Sequence, residues 1–166
     1  MHWTGRILLV LLFTIYWGGL TFYTGVVVRI IHLVLNDPMQ GGLITQQVTV
    51  ALQGLGFLTL PFMIWNAAGI VKHSRQLGFT LLVLTAVLAC ALIGLLVTHS
   101  QLDAVIDREA MEITDRVLFD AGHRRYNQLT TVQWVAALLY LPVTLIAWRK
   151  VDSASILGAN CPARAC

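Results

Sequence analysis

Four long apolar segments constrain the fold of this chain more than any other feature of its sequence. They are residues 7–35, 43–71, 77–98 and 129–148. Each has about the 20 largely apolar residues that an α-helix needs to cross the hydrocarbon core of a membrane. Of the 166 residues only 11% are charged and 57% are hydrophobic, whereas a soluble domain carries about 25% charged residues. The sequence therefore predicts an all-α fold: an integral membrane four-helix bundle over residues 1–150, with the lipid bilayer as its main partner.

Basic residues near the ends of the segments predict how the helices are oriented. If four helices alternate, one side carries six Lys and Arg against one acid, and the other carries five Arg against seven acids. Cytoplasmic loops of membrane proteins are enriched in Lys and Arg. We therefore expect a multi-pass protein of a bacterial inner (cytoplasmic) membrane with both termini in the cytoplasm. Residues 151–166 form a short polar tail that we expect to be disordered.

The sizeable polar region of the sequence is residues 99–128, between the third and fourth segments. Hydrophobic residues recur there among the acids at roughly helical spacing. This pattern is typical of an amphipathic helix, either on the outer surface or as an extension of the fourth span. A solvated connector without regular structure is the alternative.

Small residues at helical spacing predict where the helices meet. Lipid gives helices no hydrophobic reason to associate, so residues that allow close approach mark the contacting faces. The predicted packing residues are Gly18, Thr21, Gly25, Gly56 and Gly94.

Amide side chains in and beside the apolar segments need hydrogen-bond partners. The predicted interior amides are Gln46, Gln53, Asn127 and Gln133. An unpaired amide in hydrocarbon costs free energy, so these side chains either tie helices together or line a polar path. The second alternative would make the protein a transporter or channel subunit.

Three histidines near the predicted outer side form a candidate cofactor site. His32 lies near the end of the first segment, His99 follows the third and His123 precedes the fourth. His32 also continues the stripe of small residues on the first segment, which predicts that it faces the other helices. Imidazoles that meet across a bundle can bind haem b or a transition metal. The sequence has no diagnostic metal-binding spacing, and histidines that simply anchor the membrane interface are the alternative.

Patterns typical of enzymes and of nucleic-acid-binding proteins are missing from the sequence. No acid lies in the middle of an apolar segment, and there is no Gly-x-Ser-x-Gly motif or phosphate-binding glycine-rich loop. The 11 Lys and Arg are scattered in spite of the net charge of +3. We therefore expect neither catalytic residues nor a nucleic-acid partner.

Two short motifs resemble a known family. Residues 17–22, WGGLTF, followed by three valines, and Phe119-x-x-x-His123, followed by Asn127, resemble parts of the small uncharacterised bacterial four-helix membrane proteins related to the transmembrane-protein-205 group. The resemblance implies a four-helix bundle and draws attention to the two glycines of the first motif and to His123. It implies no reaction, because the function of these proteins is largely unknown.

The leading functional hypothesis is a non-enzymatic accessory or small-molecule-handling component of the membrane. A second copy of the chain or another protein of a membrane complex is the expected protein partner. The first alternative is a haem- or metal-binding membrane protein that uses the three histidines. The second is the transporter or channel subunit.

Overall fold

Four long α-helices make up nearly all of the structure. The computed structural model describes residues 3–35, 38–107, 110 and 112–159, without the side chains of residues 38 and 155–159. Helix α1 consists of Trp3–Phe22, a π-helical turn at Tyr23–Val27, and Val28–Val34; α2 is Pro38–Val71, α3 is Arg75–Asp103 and α4 is Arg116–Ala159. The predicted all-α class is confirmed, and all four helices are long and apolar enough to cross a membrane.

The helices extend past the predicted apolar segments into polar sequence. Helix α4 begins at Arg116 rather than near residue 129, so part of the polar region extends the fourth helix. Asp115 caps this helix, since its Oδ1 accepts a hydrogen bond from the Leu118 amide at 2.9 Å. Hydropathy marks only the apolar part of a helix, whereas backbone hydrogen bonding continues through polar residues until a breaker stops it.

The C-terminal residues differ from the sequence-based expectation. Residues 151–159, expected to be disordered, continue α4 as helix. The Asp152 carboxylate is held by Arg6, whose two terminal nitrogens donate to it over 2.7 and 2.8 Å. The expectation of disorder is therefore wrong for this part of the tail, and the rest of the tail, residues 160–166, lies outside the described residues.

A two-stranded β-hairpin connects α3 to α4. Strand β1, Ile106–Asp107, pairs with β2, Glu112–Ile113, in antiparallel register. The Val105 carbonyl accepts hydrogen bonds from the Thr114 amide at 2.9 Å and from its hydroxyl at 3.0 Å. We call this end of the helices the hairpin end.

The helices pack against one another in the order of the chain. Contacts run from α1 to α2, from α2 to α3, from α3 to α4, and from α4 back to α1. The connection between α2 and α3 is tight: a Cβ at Gly78 would lie 2.5 Å from the Val71 backbone nitrogen. Only glycine fits this close approach. Arg6 and Asp152 mark the opposite end of the helices, which we call the terminal end.

The interior between the helices is filled by aliphatic and aromatic side chains, among them Phe13, Met63, Leu88, Leu92 and Tyr140. The Phe13 and Tyr140 rings stack with their centroids 5.8 Å apart. Large apolar side chains also cover the outward faces of all four helices, for example Ile15, Ile64, Ile93 and Ile146. The polar groups described next lie inside this apolar assembly.

Candidate functional site

A column of buried and half-buried polar side chains runs through the interior between the helices. We define this polar column as three groups: a terminal-end group of Asn66, Tyr140, Thr144 and Trp148, a central pair of Tyr16 and Gln133, and a hairpin-end pair of Gln53 and Tyr126. Helix α4 contributes a member to each group. Every hydrogen bond within the polar column joins α4 to α1 or α2.

The terminal-end group is centred on Asn66, whose side chain is 1% exposed. Its Nδ2 donates to the Tyr140 hydroxyl at 3.0 Å and lies 3.4 Å from the Thr144 hydroxyl. Its Oδ1 accepts a hydrogen bond from Trp148 Nε1 at 2.8 Å. The Tyr140 hydroxyl in turn donates to the Met63 carbonyl at 3.1 Å. Both ends of the Asn66 amide are thus used to join α2 and α4.

The central pair joins α1 to α4. Gln133 Nε2 donates to the Tyr16 hydroxyl, and both side chains are buried. Gly56 on α2 makes room for the Tyr16 ring, since a Cβ at this glycine would lie 2.9 Å from Tyr16 Cε2 and 3.0 Å from Leu92 Cδ2. A larger residue would displace the Tyr16 ring from its place between the helices.

The hairpin-end pair keeps unused hydrogen-bonding capacity. Gln53 Nε2 donates to the Tyr126 hydroxyl at 2.9 Å. Gln53 Oε1 is buried and has no hydrogen-bond partner among the described residues. In the central pair, Gln133 Oε1 is likewise buried without a hydrogen-bond partner among the described residues. Buried polar groups of this kind are the sites where proteins hold single water molecules.

The predicted interior amides divide into three kinds of position. Gln53 and Gln133 lie in the polar column, as described above. Gln46 donates from Nε2 to Asp103 Oδ1 at the hairpin end and joins α2 to α3. Asn127 is exposed on α4, so its expected place in the interior is wrong. Tyr126, the preceding residue, points toward α2, and the next residue of an α-helix points about 100° away from it, toward the outer face.

The predicted packing glycines also differ in their surroundings. A Cβ at Gly94 would lie 3.1 Å from Leu129 Cδ1, so α3 and α4 approach closely there. Thr21 accepts a hydrogen bond from Trp134 Nε1 at 2.9 Å. At Gly18 and Gly25 an added Cβ would meet nothing within 4 Å. The expected close helix contact is therefore wrong at these last two positions.

A π-helical turn explains why the predicted stripe on α1 fails beyond Thr21. The turn at Tyr23–Val27 holds more residues than an α-helical turn. One extra residue rotates everything that follows by about 100° relative to regular α-helical spacing. Gly25 and His32 are consequently exposed instead of facing the other helices.

The three predicted cofactor-binding histidines each have a partner within their own helix. The His32 ring Nδ1 lies 2.8 Å from a backbone carbonyl one turn earlier. His99 Nε2 lies 3.6 Å from Asp103 Oδ2. The His123 ring stacks on Phe119 with a centroid separation of 6.0 Å. Within the described ranges, no three His, Cys, Asp or Glu side chains come together as a metal site.

Asn66, Tyr16, Tyr140 and Trp148 belong to the polar column and were missed by sequence reasoning. Asn66 is an amide inside an apolar segment, which is the signal that singled out Gln53 and could have singled out Asn66. The aromatic residues give a weaker signal, because their rings are apolar and only their hydroxyl or indole nitrogen needs a partner. Their pairing with an amide on another helix is visible only in three dimensions.

The chemistry that the polar column can perform follows from its composition. Its side chains are amides, hydroxyls and an indole, all neutral, and they can donate and accept hydrogen bonds. Groups of this kind hold helices together or bind water and small polar molecules. Comparison with known protein families, curated proteins and solved structures found none that matches this chain.

Proposed function

We propose that this chain is a four-helix bundle of a bacterial inner membrane, with both termini in the cytoplasm, and that it is a non-enzymatic accessory or small-molecule-handling component. The membrane location is supported by four helices of sufficient length and hydropathy. It is also supported by the large apolar side chains on the outward faces of these helices. In lipid such faces are solvated, whereas in water they would drive aggregation.

The polar column is the observation that carries the proposed role. Its three groups pair α4 with α1 and α2 through side chains that are otherwise surrounded by apolar core residues. Polar pairs across helices stabilise membrane bundles. This arrangement favours a scaffold that presents its surfaces to lipids or partners, rather than an interior reaction site.

A transport path through the bundle is less well supported. Gln53 and Gln133 would line such a path, but their amide nitrogens donate hydrogen bonds to tyrosines of the facing helices. Large side chains such as Phe13 and Met63 fill the space beside them. We therefore infer that the interior is closed.

Membrane insertion and orientation can be tested together in cells. Reporters active only in the periplasm or only in the cytoplasm would be fused after Lys150 and within the hairpin. We expect the Lys150 fusion to report cytoplasm, the hairpin fusion to report periplasm, and the untagged chain to resist alkaline extraction from membranes. A cytoplasmic hairpin would overturn the orientation, and release by alkali would overturn the membrane location.

An absorption spectrum of the purified protein separates this proposal from the haem or metal alternative. With elemental analysis of protein from cells supplied with iron and haem, we expect no Soret band and no stoichiometric metal. A band that disappears in His99→Ala or His123→Ala would replace the accessory role with a redox or metal-binding one.

A further inference from the structure

An open cleft lies at the hairpin end, between the last residues of α3 and the first turns of α4. Its volume is about 740 Å³, within the range of about 300–1,000 Å³ that is usual for small-molecule sites. Gly122 brings the two helices together at its floor, since a Cβ there would lie 2.8 Å from Leu102 Cδ2. The cleft is separate from the polar column.

The lining of the cleft combines an apolar wall with two cations. Leu102, Val105 and Leu118 are the large apolar side chains of this lining. Arg124 and Arg125 line the same cleft. One cleft therefore has both arginine side chains and an apolar wall that can contact hydrocarbon.

The two arginines have no anionic partner within the part of the chain that the structure describes. Its ion pairs there are Arg6 with Asp152 at the terminal end and His99 with Asp103 on α3. Both Arg124 and Arg125 are exposed. Two arginine side chains that line one cleft are well suited to a phosphate, because the planar fork of arginine matches its oxygens.

The cleft lies next to the ends of the apolar segments, where a membrane would meet water. We propose that it binds one anionic phospholipid, with the phosphate held by the arginines that line the cleft, Arg124 and Arg125, and the upper part of an acyl chain along Leu102, Val105 and Leu118. This inference rests on the proposed membrane location and names the small molecule that the protein handles. Basic pockets between membrane helices are known to bind anionic lipid head groups.

Native mass spectrometry of the full chain in a neutral detergent tests the site. Delipidated protein would be titrated with phosphatidylglycerol or with zwitterionic phosphatidylcholine. We expect preferential binding of phosphatidylglycerol, and about thirtyfold weaker binding in R124Q/R125Q, the loss estimated for two interfacial arginines. The matched control is R149Q/K150Q, which removes the same charge at the terminal end and should bind as the unmodified chain does.

Two further arms separate a lipid from a free anion. Leu118→Gln should weaken lipid binding while both arginines remain. Inorganic phosphate at millimolar concentration should not displace the lipid. Displacement by inorganic phosphate, equal binding of the two lipids, or unchanged binding in R124Q/R125Q would each overturn the proposed lipid site.

Failure of the lipid site can be told apart from failure of the proposed membrane location. Alkaline extraction of the unmodified chain reports that location by itself. If the chain stays in membranes and the lipid titration fails, the cleft proposal alone is wrong. If alkali releases the chain, the proposed function fails first.

Discussion

Asn66 on α2 donates a hydrogen bond from Nδ2 to the Tyr140 hydroxyl on α4 over 3.0 Å. The same amide accepts from Trp148 through its oxygen, so a single buried side chain connects the two helices in both directions. The rings of Tyr140 and Trp148 span the distance between these helices, and the amide supplies the polar contact at their tips. This amide therefore joins α2 to α4 at the terminal end.

Replacing Asn66 with leucine should therefore destabilise the folded state. The Tyr140 hydroxyl would retain its bond to the Met63 carbonyl, but Trp148 Nε1 would lose its acceptor. We expect a loss of about 1–2 kcal/mol, because interhelical hydrogen bonds in membranes contribute on average about 0.6 kcal/mol and at most about 1.7. Unfolding of the detergent-solubilised protein, followed by circular dichroism, measures it.

Asn127→Leu is the matched control, since Asn127 is exposed on α4. Its effect should stay within about 0.5 kcal/mol. Equal effects of the two substitutions would contradict the importance of the terminal-end group.

Removing one partner of the central pair should cost more stability than removing both, as expected for a buried hydrogen bond. Tyr16→Phe removes the partner of Gln133 Nε2 and leaves the whole amide unpaired, because Gln133 Oε1 already has no partner among the described residues. We expect this variant to lose about 1–3 kcal/mol of stability. The double variant Tyr16→Phe/Gln133→Leu replaces both polar groups and should recover most of the loss. A double variant less stable than Tyr16→Phe would argue against the pair.

Adding one methyl group at Gly56 should be costly because the Tyr16 ring and Leu92 already occupy that space. We expect Gly56→Ala to lose about 1–3 kcal/mol, the usual cost of overpacking a core. Gly54→Ala on the same helix is the control, since nothing lies within 4 Å of a Cβ there. That variant should be unchanged or slightly more stable, because alanine favours helix. The same unfolding assay compares them, and equal losses would contradict the packing at Gly56.

The sequence was sufficient to predict the number and class of the main elements. Four long, largely apolar segments leave an α-helix as the economical way to satisfy every backbone group in lipid. The polar extensions of α3 and α4 were only partly predictable, because residues 99–128 carry a weak amphipathic pattern that suits several structures. The β-hairpin consists of two residues in each strand, too few for a period to be detected.

Only part of the polar column could be predicted from the sequence, and the reason is physical. Periodicity assigns a residue to a face of one helix, but the partner on another helix depends on packing. The π-helical turn at Tyr23–Val27 has no periodic signal of its own, and it shifts the faces of all later residues on α1. The predictions for Gly25 and His32 failed at this turn, whereas Gln53 and Gly56 on α2, which is α-helical throughout, face the other helices as predicted.

The ion pair at the terminal end should respond to charge reversal. Arg6→Glu places like charges next to each other at Asp152 and removes the guanidinium that lies 5.1 Å above the Trp148 ring. We expect this variant to lose about 1 kcal/mol of stability, and Arg6→Glu/Asp152→Arg to recover most of it, since exposed pairs contribute roughly 0.2–1 kcal/mol. The test is thermal unfolding at low ionic strength, where screening is weakest. No recovery in the double variant would contradict the pairing of these residues.

Thiol accessibility inside the helices tests most directly whether the protein is a closed, hydrogen-bonded membrane bundle. Cys90, Cys161 and Cys166 would be replaced by serine, and single cysteines introduced as Ala67→Cys and Ala137→Cys, both at buried positions outside the polar column. In intact membranes a charged, membrane-impermeant maleimide should label neither cysteine, while exposed Asn127→Cys is labelled from the hairpin side and both interior thiols react after denaturation. Rapid labelling of Ala67→Cys or Ala137→Cys in the folded protein would contradict the account and favour a water-filled path.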